Sequence, residues 1–231
     1  METVLHPTMP GDMLPLTARL RPTGLAVRGV LHAPDGVPEG MVSLVLLGPD
    51  EPRFWSVFTA SLEYHDGAPH PLDRWSRRVI GALAREEGGE AVFPSEGPPY
   101  APFISWALAS GQAWASPIGP LVHAKAGLFI SYRGALALPY DLPSHLVAKP
   151  VCDNCARPCV SACPVRALSD TAPYDAKACL DHVSSDAGRV CRETGCLARQ
   201  ACPVAQGFTR LAAQSAFHMS AFMKAHRPCS D

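Results

Sequence analysis

The chain has 231 residues, 47% of them hydrophobic, with 20 Lys and Arg against 21 Asp and Glu. That is enough apolar material for one large or two small folded domains, so disorder is not the default expectation. A net charge near −1 gives no electrostatic reason to expect nucleic acid or an anionic membrane as partner.

The first fifteen residues have no cationic end followed by an apolar run, so they do not read as a secretory signal, and no later stretch is long enough to span a bilayer. The chain is expected in the reducing cytoplasm, where its nine cysteines would not be disulfides. Residues 14–20 suggest a short helix and 24–31 a strand. The run MVSLVLL at 41–47 is apolar throughout and suits a strand buried on both faces. Residues 54–62 read as a compact aromatic helix. The clearest helix covers 71–87, with Asp73 as cap and Trp75, Val79 and Leu83 on one face. Residues 91–93 look like the next strand. A proline-rich entry leads to a helix ending near 110, then 128–132 and 135–138 look like strands paired around Arg133-Gly134. Pro139, Pro143 and Pro150 mark a linker.

No cysteine precedes Cys152, and eight lie between Cys152 and Cys202. Cys152, Cys155, Cys159 and Cys163 form a tight run closed by Pro164. A cubane cluster needs four thiolates; a run of this type delivers three, and the fourth, before proline, turns away to the other cluster. Cys179, Cys191 and Cys196 follow at looser spacing and close on Cys202-Pro203. Two Cys-Pro endings, each after three cysteines, make the eight ligands that two [4Fe–4S] clusters require. Zinc uses cysteine quartets too, but its sites seldom repeat a Cys-x3-Cys-Pro ending. His182, near Cys179, is a spare ligand type that eight cysteines make unnecessary, and Cys229 reads as a free thiol. Helix-like runs follow each Cys-Pro, at 165–168 and 204–213. Phe208, Phe217, Met219, Phe222 and Met223 read as core packing.

The motifs resemble those of double-cubane ferredoxins. More widely, Gly119-Pro120-Leu121, Gly127-Leu128, Arg133-Gly134, the run 152–168, Tyr174 to Cys179, and Gly195-Cys196 to Cys202-Pro203 resemble epoxyqueuosine reductase and the cobalamin-dependent reductive dehalogenases. Two departures stand out. Three residues separate Cys155 from Cys159 where the family has two, and no cysteine lies between Cys196 and Cys202, which leaves Cys191 to complete the set. The resemblance implies an α+β chain, with a nitroreductase-like α/β platform at 1–143 and a ferredoxin-like iron–sulfur module with a C-terminal helix at 144–231. It implies that Cys152, Cys155 and Cys159 share a cluster with Cys202, and that Cys163 joins Cys179, Cys191 and Cys196. It also implies a possible cobalamin cavity bordered by His123, Tyr132 and Arg133, residues that would equally serve to cap strands and satisfy loop carbonyls.

Two functions follow. One is an electron-transfer protein working with a redox partner protein. The other is a reductase acting on a small molecule through an organic cofactor. No Gly-x-Gly-x-x-Gly is present for a dinucleotide.

Overall fold

The computed structural model describes residues 13–143 and 148–226. They form two compact units, interleaved along the chain. One takes the described residues of Met1–Asp50, Val57–Gly111 and Tyr132–Leu146; the other takes those of Glu51–Ser56, Gln112–Ser131 and Val147–Asp231.

The first unit is built on a four-stranded sheet. Helix α1 (Leu14–Leu20) leads into β1 (Leu25–His32) and β2 (Ser43–Pro49). Every residue of β2 is buried, as its unbroken apolar run demands. The chain continues through α2 (Arg53–Thr59), α3 (Leu62–His65), α4 (Pro71–Glu86), β3 (Glu90–Val92) and α5 (Phe103–Ala109). In the second unit β4 (Ala113–Ala115) pairs with β5 (Leu121–His123). The chain then returns to the first sheet as β6 (Gly134–Leu138), also buried throughout.

The large sheet has the order β1-β2-β6-β3 and each pairing is antiparallel. Wholly apolar strands are usual in parallel sheets; in this sheet β2 and β6 occupy the two central positions. The expected pairing of 128–132 with 135–138 does not occur. Residues 128–132 form no strand, and β6 pairs with β2 and β3 instead. An isolated short hairpin is marginal, whereas β6 between two neighbours satisfies its backbone on both edges.

Helix α4 buries Leu72, Trp75, Ser76, Ile80, Leu83 and Ala84, an i, i+3, i+4 stripe; Val79 is half-buried at the margin of that stripe. Asp73 is not the cap. Pro71 opens the helix after His70 in the left-handed region, and Asp73 falls in the first turn, where its charge suits the helix dipole. Gly134 has no room for a side chain: a Cβ there would stand 2.8 Å from the Ile80 side chain.

The second unit continues with α6 (Ala176–Ser184), α7 (Arg189–Thr194), α8 (Leu197–Gln200), α9 (Pro203–Gln206) and α10 (Ala212–Ala225). Its apolar core gathers Ile118, Val122, Leu128, Phe129, Leu168 and Phe208 with Cys159 and Cys202. The helix expected at 165–168 is a turn with Arg166 at φ 52°, and the run 204–213 divides between α9 and α10 around Thr209, also at positive φ. Phe217 of α10 packs at 5.5 Å from the Trp55 ring. Among the described residues no helix is long and apolar enough to cross a membrane.

Candidate metal centres

The eight cysteines between 152 and 202 are free thiols, and they fall into two groups of four. The first group walls a cavity of about 360 Å³: Cys152, Cys155, Cys159 and Cys202. Tight local turns deliver three of them. The Cys155 N–H donates to the Cys152 carbonyl, and the Arg157 N–H, from a residue at φ 55°, donates to Cys155 Sγ at 3.3 Å. The fourth comes from far along the chain. Cys202 stands at the N-cap of α9, in extended conformation, with Pro203 at the first helical position, where its missing N–H is not needed. Gly127, at φ 53°, lets the loop after β5 close on this helix, since a Cβ there would collide with the Ala205 backbone nitrogen.

The second group walls a cavity of about 460 Å³: Cys163, Cys179, Cys191 and Cys196. Cys163 comes from the end of the first run, Cys179 from α6, Cys191 from α7 and Cys196 from the N-cap of α8. Asp175 caps α6 by accepting from the Ala178 N–H at 2.8 Å. Gln200 Nε2 ties the bend before Cys196 by donating to the carbonyls of Thr194 at 2.9 Å and Gly195 at 3.0 Å.

The electrostatics divide along the same line. Burial pushes the Cys159 thiol up, and Cys202, Cys152 and Cys155 push it further. Burial does the same to Cys152, with Cys155 and Cys202 behind it. Cys191 is raised by burial and then by Cys196, Cys179 and Cys163; Cys179 is raised by burial and then by Cys196 and Cys163. A protonated thiol is therefore favoured until a cation arrives to stabilise the thiolate. Among the described residues no three His, Cys, Asp or Glu side chains converge as ligands of a single metal ion.

The surroundings differ. The larger cavity also has Tyr174, His182, Arg199, Arg210 and His218 in its wall. Burial holds the Tyr174 phenol above its ordinary range, and a hydrogen bond to Cys179 adds to that. The Arg210 side chain, 4% exposed, stands over the Phe129 ring at 5.2 Å and 3.5 Å from Glu51 Oε1. Gln214 Nε2 donates to that same carboxylate oxygen at 2.6 Å. Sequence reasoning missed Arg210 and Glu51, for which no local motif gives a signal. His182 lies in the wall, as its closeness to Cys179 suggests, and Cys229 lies outside the described residues.

The three polar residues weighed for a cofactor cavity line neither cavity. His123 is buried in the second unit, and its Nδ1 accepts from the N–H groups of Lys125 at 3.0 Å and Ala126 at 3.2 Å. Tyr132 and Arg133 belong to the first unit. The Tyr132 hydroxyl is buried without a hydrogen-bond partner, and burial holds it well above the ordinary phenol range, against the pull of Arg28. Burial lowers Arg133, with Asp73 opposing from 3.8 Å.

No family model and no solved structure matches the chain. Among curated proteins it is similar to an epoxyqueuosine reductase of Gloeobacter violaceus, 29% identical over 126 residues. The match takes in 54% of this chain and 37% of that protein, so the chain spans little more than a third of the length of the relative it matches.

Proposed function

We propose that this chain is an iron–sulfur electron-transfer protein of the cytoplasm, holding two [4Fe–4S] clusters and exchanging single electrons with a redox partner protein. The observation that carries this is the division of eight cysteines into two quartets, each spread around its own cavity. Soft thiolates in fours suit iron–sulfur clusters. When bound, the clusters supply one-electron transfer at a potential the protein tunes. The chain's own residues do the rest. Cys152, Cys155, Cys159 and Cys202 hold one cluster; Cys163, Cys179, Cys191 and Cys196 hold the other. The apolar core around Phe129 and Phe208 keeps water away. In this reading residues 144–231 carry the clusters and 1–143 form the platform for the partner.

The test is metal content. Anaerobically purified protein should hold about eight iron and about eight sulfide. Cys163→Ala should empty the site of Cys179, Cys191 and Cys196 and spare that of Cys152, Cys155 and Cys159, leaving about four iron. Stoichiometric zinc without sulfide would refute the proposal.

The similarity to an epoxyqueuosine reductase favours a second reading, a reductase that feeds these electrons to a cobalamin or another organic group. Of the residues weighed for a cobalamin, His123 commits Nδ1 to two backbone N–H groups, and Tyr132 and Arg133 line neither cysteine-walled cavity. Corrinoid or flavin absorption beside the cluster bands would establish the second reading over the first.

A further inference from the structure

We infer that Arg210 sets the reduction potential of the centre at Cys163, Cys179, Cys191 and Cys196 above that of its neighbour, making it the place where electrons collect. The inference rests on the two-cluster reading above and adds a direction to it.

Each site would present four thiolates, so adding an electron makes an already anionic assembly more negative. A fixed cation close by stabilises the reduced form and raises the potential; net charge, hydrogen bonds to sulfur and solvent exposure are the protein's means of control. Arg210 lies in the wall of the larger cavity with its side chain 4% exposed. In so enclosed a place its charge is weakly screened. Glu51, whose side chain is fully buried, holds it from 3.5 Å but does not line the cavity. The cavity thus meets the positive member of the pair and not the negative one, and Phe129 at 5.2 Å and Gln214 lock the arrangement. Arg199, half-buried in the same wall, adds charge of the same sign. The smaller cavity has one arginine in its wall, Arg157, which is exposed, and Asp153 acts on Cys152 against it. An exposed charge is screened by water and salt. The two sites therefore carry the same ligands in unequal fields. An electron leaving the cluster at Cys152, Cys155, Cys159 and Cys202 oxidises that centre and reduces the other, with no proton or further reactant required.

The experiment is an anaerobic redox titration of the intact protein with dithionite and mediators, followed by electron paramagnetic resonance, with iron and sulfide measured on each sample. The signal of the Cys191 site is identified by its loss in Cys191→Ala. Arg210→Gln should move that signal to lower potential and leave the other in place. Arg210→Lys should keep it near the wild-type value. Glu51→Gln, which removes the opposing charge, should move it upward, and this decides the matter if Arg210→Gln does not fold. Equal shifts of both signals, or no shift in clusters that are present, would overturn the inference. Absence of iron and sulfide from the wild-type protein would instead overturn the two-cluster reading.

Discussion

The two compact units reach a folded state by different means. In the first, large apolar side chains do the work: Leu44, Leu46 and Leu47 of β2, Phe58 and Trp75 with ring centroids 6.0 Å apart, and Ile80 of α4 are fully buried. In the second, four of the five helices α6 to α10 run to nine residues or fewer, too short to persist on propensity alone. Its core includes Cys159 and Cys202 beside the aliphatic groups. A sheet that buries its own strands is complete as a polypeptide, while in the two-cluster reading a set of short helices arranged around eight thiols needs the clusters those thiols would hold.

The largest test of that contrast is removal of iron. Chelation under reducing conditions should cost the second unit most of its hydrogen-exchange protection in α6 to α9 and leave that of β2 and β6 in the first unit intact. Equal loss in both units would break the comparison.

Glycine substitutions sharpen it on a smaller scale. Gly127→Ala forces a side chain onto φ 53° and into the Ala205 backbone. It should cost about 3 kcal/mol and lower cluster retention. Gly40 in the first unit has φ 79°, but a Cβ placed there would have nothing within 4 Å, so Gly40→Ala should cost only about 1 kcal/mol of backbone strain. Denaturation of both variants, read by circular dichroism and cluster absorbance, checks the order.

The smallest expected effect is one of pH, and it belongs to the first unit. Glu63 receives Arg78 in a two-point pair at 2.5 and 3.0 Å, which lowers its carboxyl to about 2 from an ordinary 4.5. A depressed folded value means the pair stabilises fully above the unfolded value and loses its contribution as pH falls from about 4.5 toward 2. Glu63→Gln should lose about 1 kcal/mol at neutral pH and flatten the acid limb over that window. An unchanged acid limb, measured by thermal melting of the first unit's far-ultraviolet signal, would show that this pair is not what acid disrupts.

Much of the first unit's secondary structure could be read from its residues. The unbroken apolar run around Leu44 to Leu47 marks β2, and the apolar spacing from Leu72 to Leu83 marks α4, because burial selects side chains position by position. Pairing was less legible. Leu128 and Phe129 look like a strand, yet they are buried in the core of the second unit; a short apolar run has no sign of what it will pack on. Asp73 reads as a cap until Pro71 is seen to open the helix. At the sites, the cysteine types and spacings were plain; Cys152, Cys155, Cys159 and Cys202 line one cavity and Cys163, Cys179, Cys191 and Cys196 the other. Arg210 and Glu51 were not legible, since an ion pair across that span of chain is set by tertiary structure and by nothing adjacent in sequence.

The position of Cys202 beside Cys152, Cys155 and Cys159 has a consequence for biosynthesis. During translation the first three thiols leave the ribosome well before the fourth. In the two-cluster reading, until Cys202 emerges that site would have three of its ligands and an open side, and the other would lack Cys179, Cys191 and Cys196 for much of the same interval. On that reading both ligand sets are completed only late, one at Cys196 and the other at Cys202, so iron and sulfide would be delivered to a polypeptide already made as far as its last ligands. Premature termination before Cys179 would then yield a product that retains neither centre in its native form.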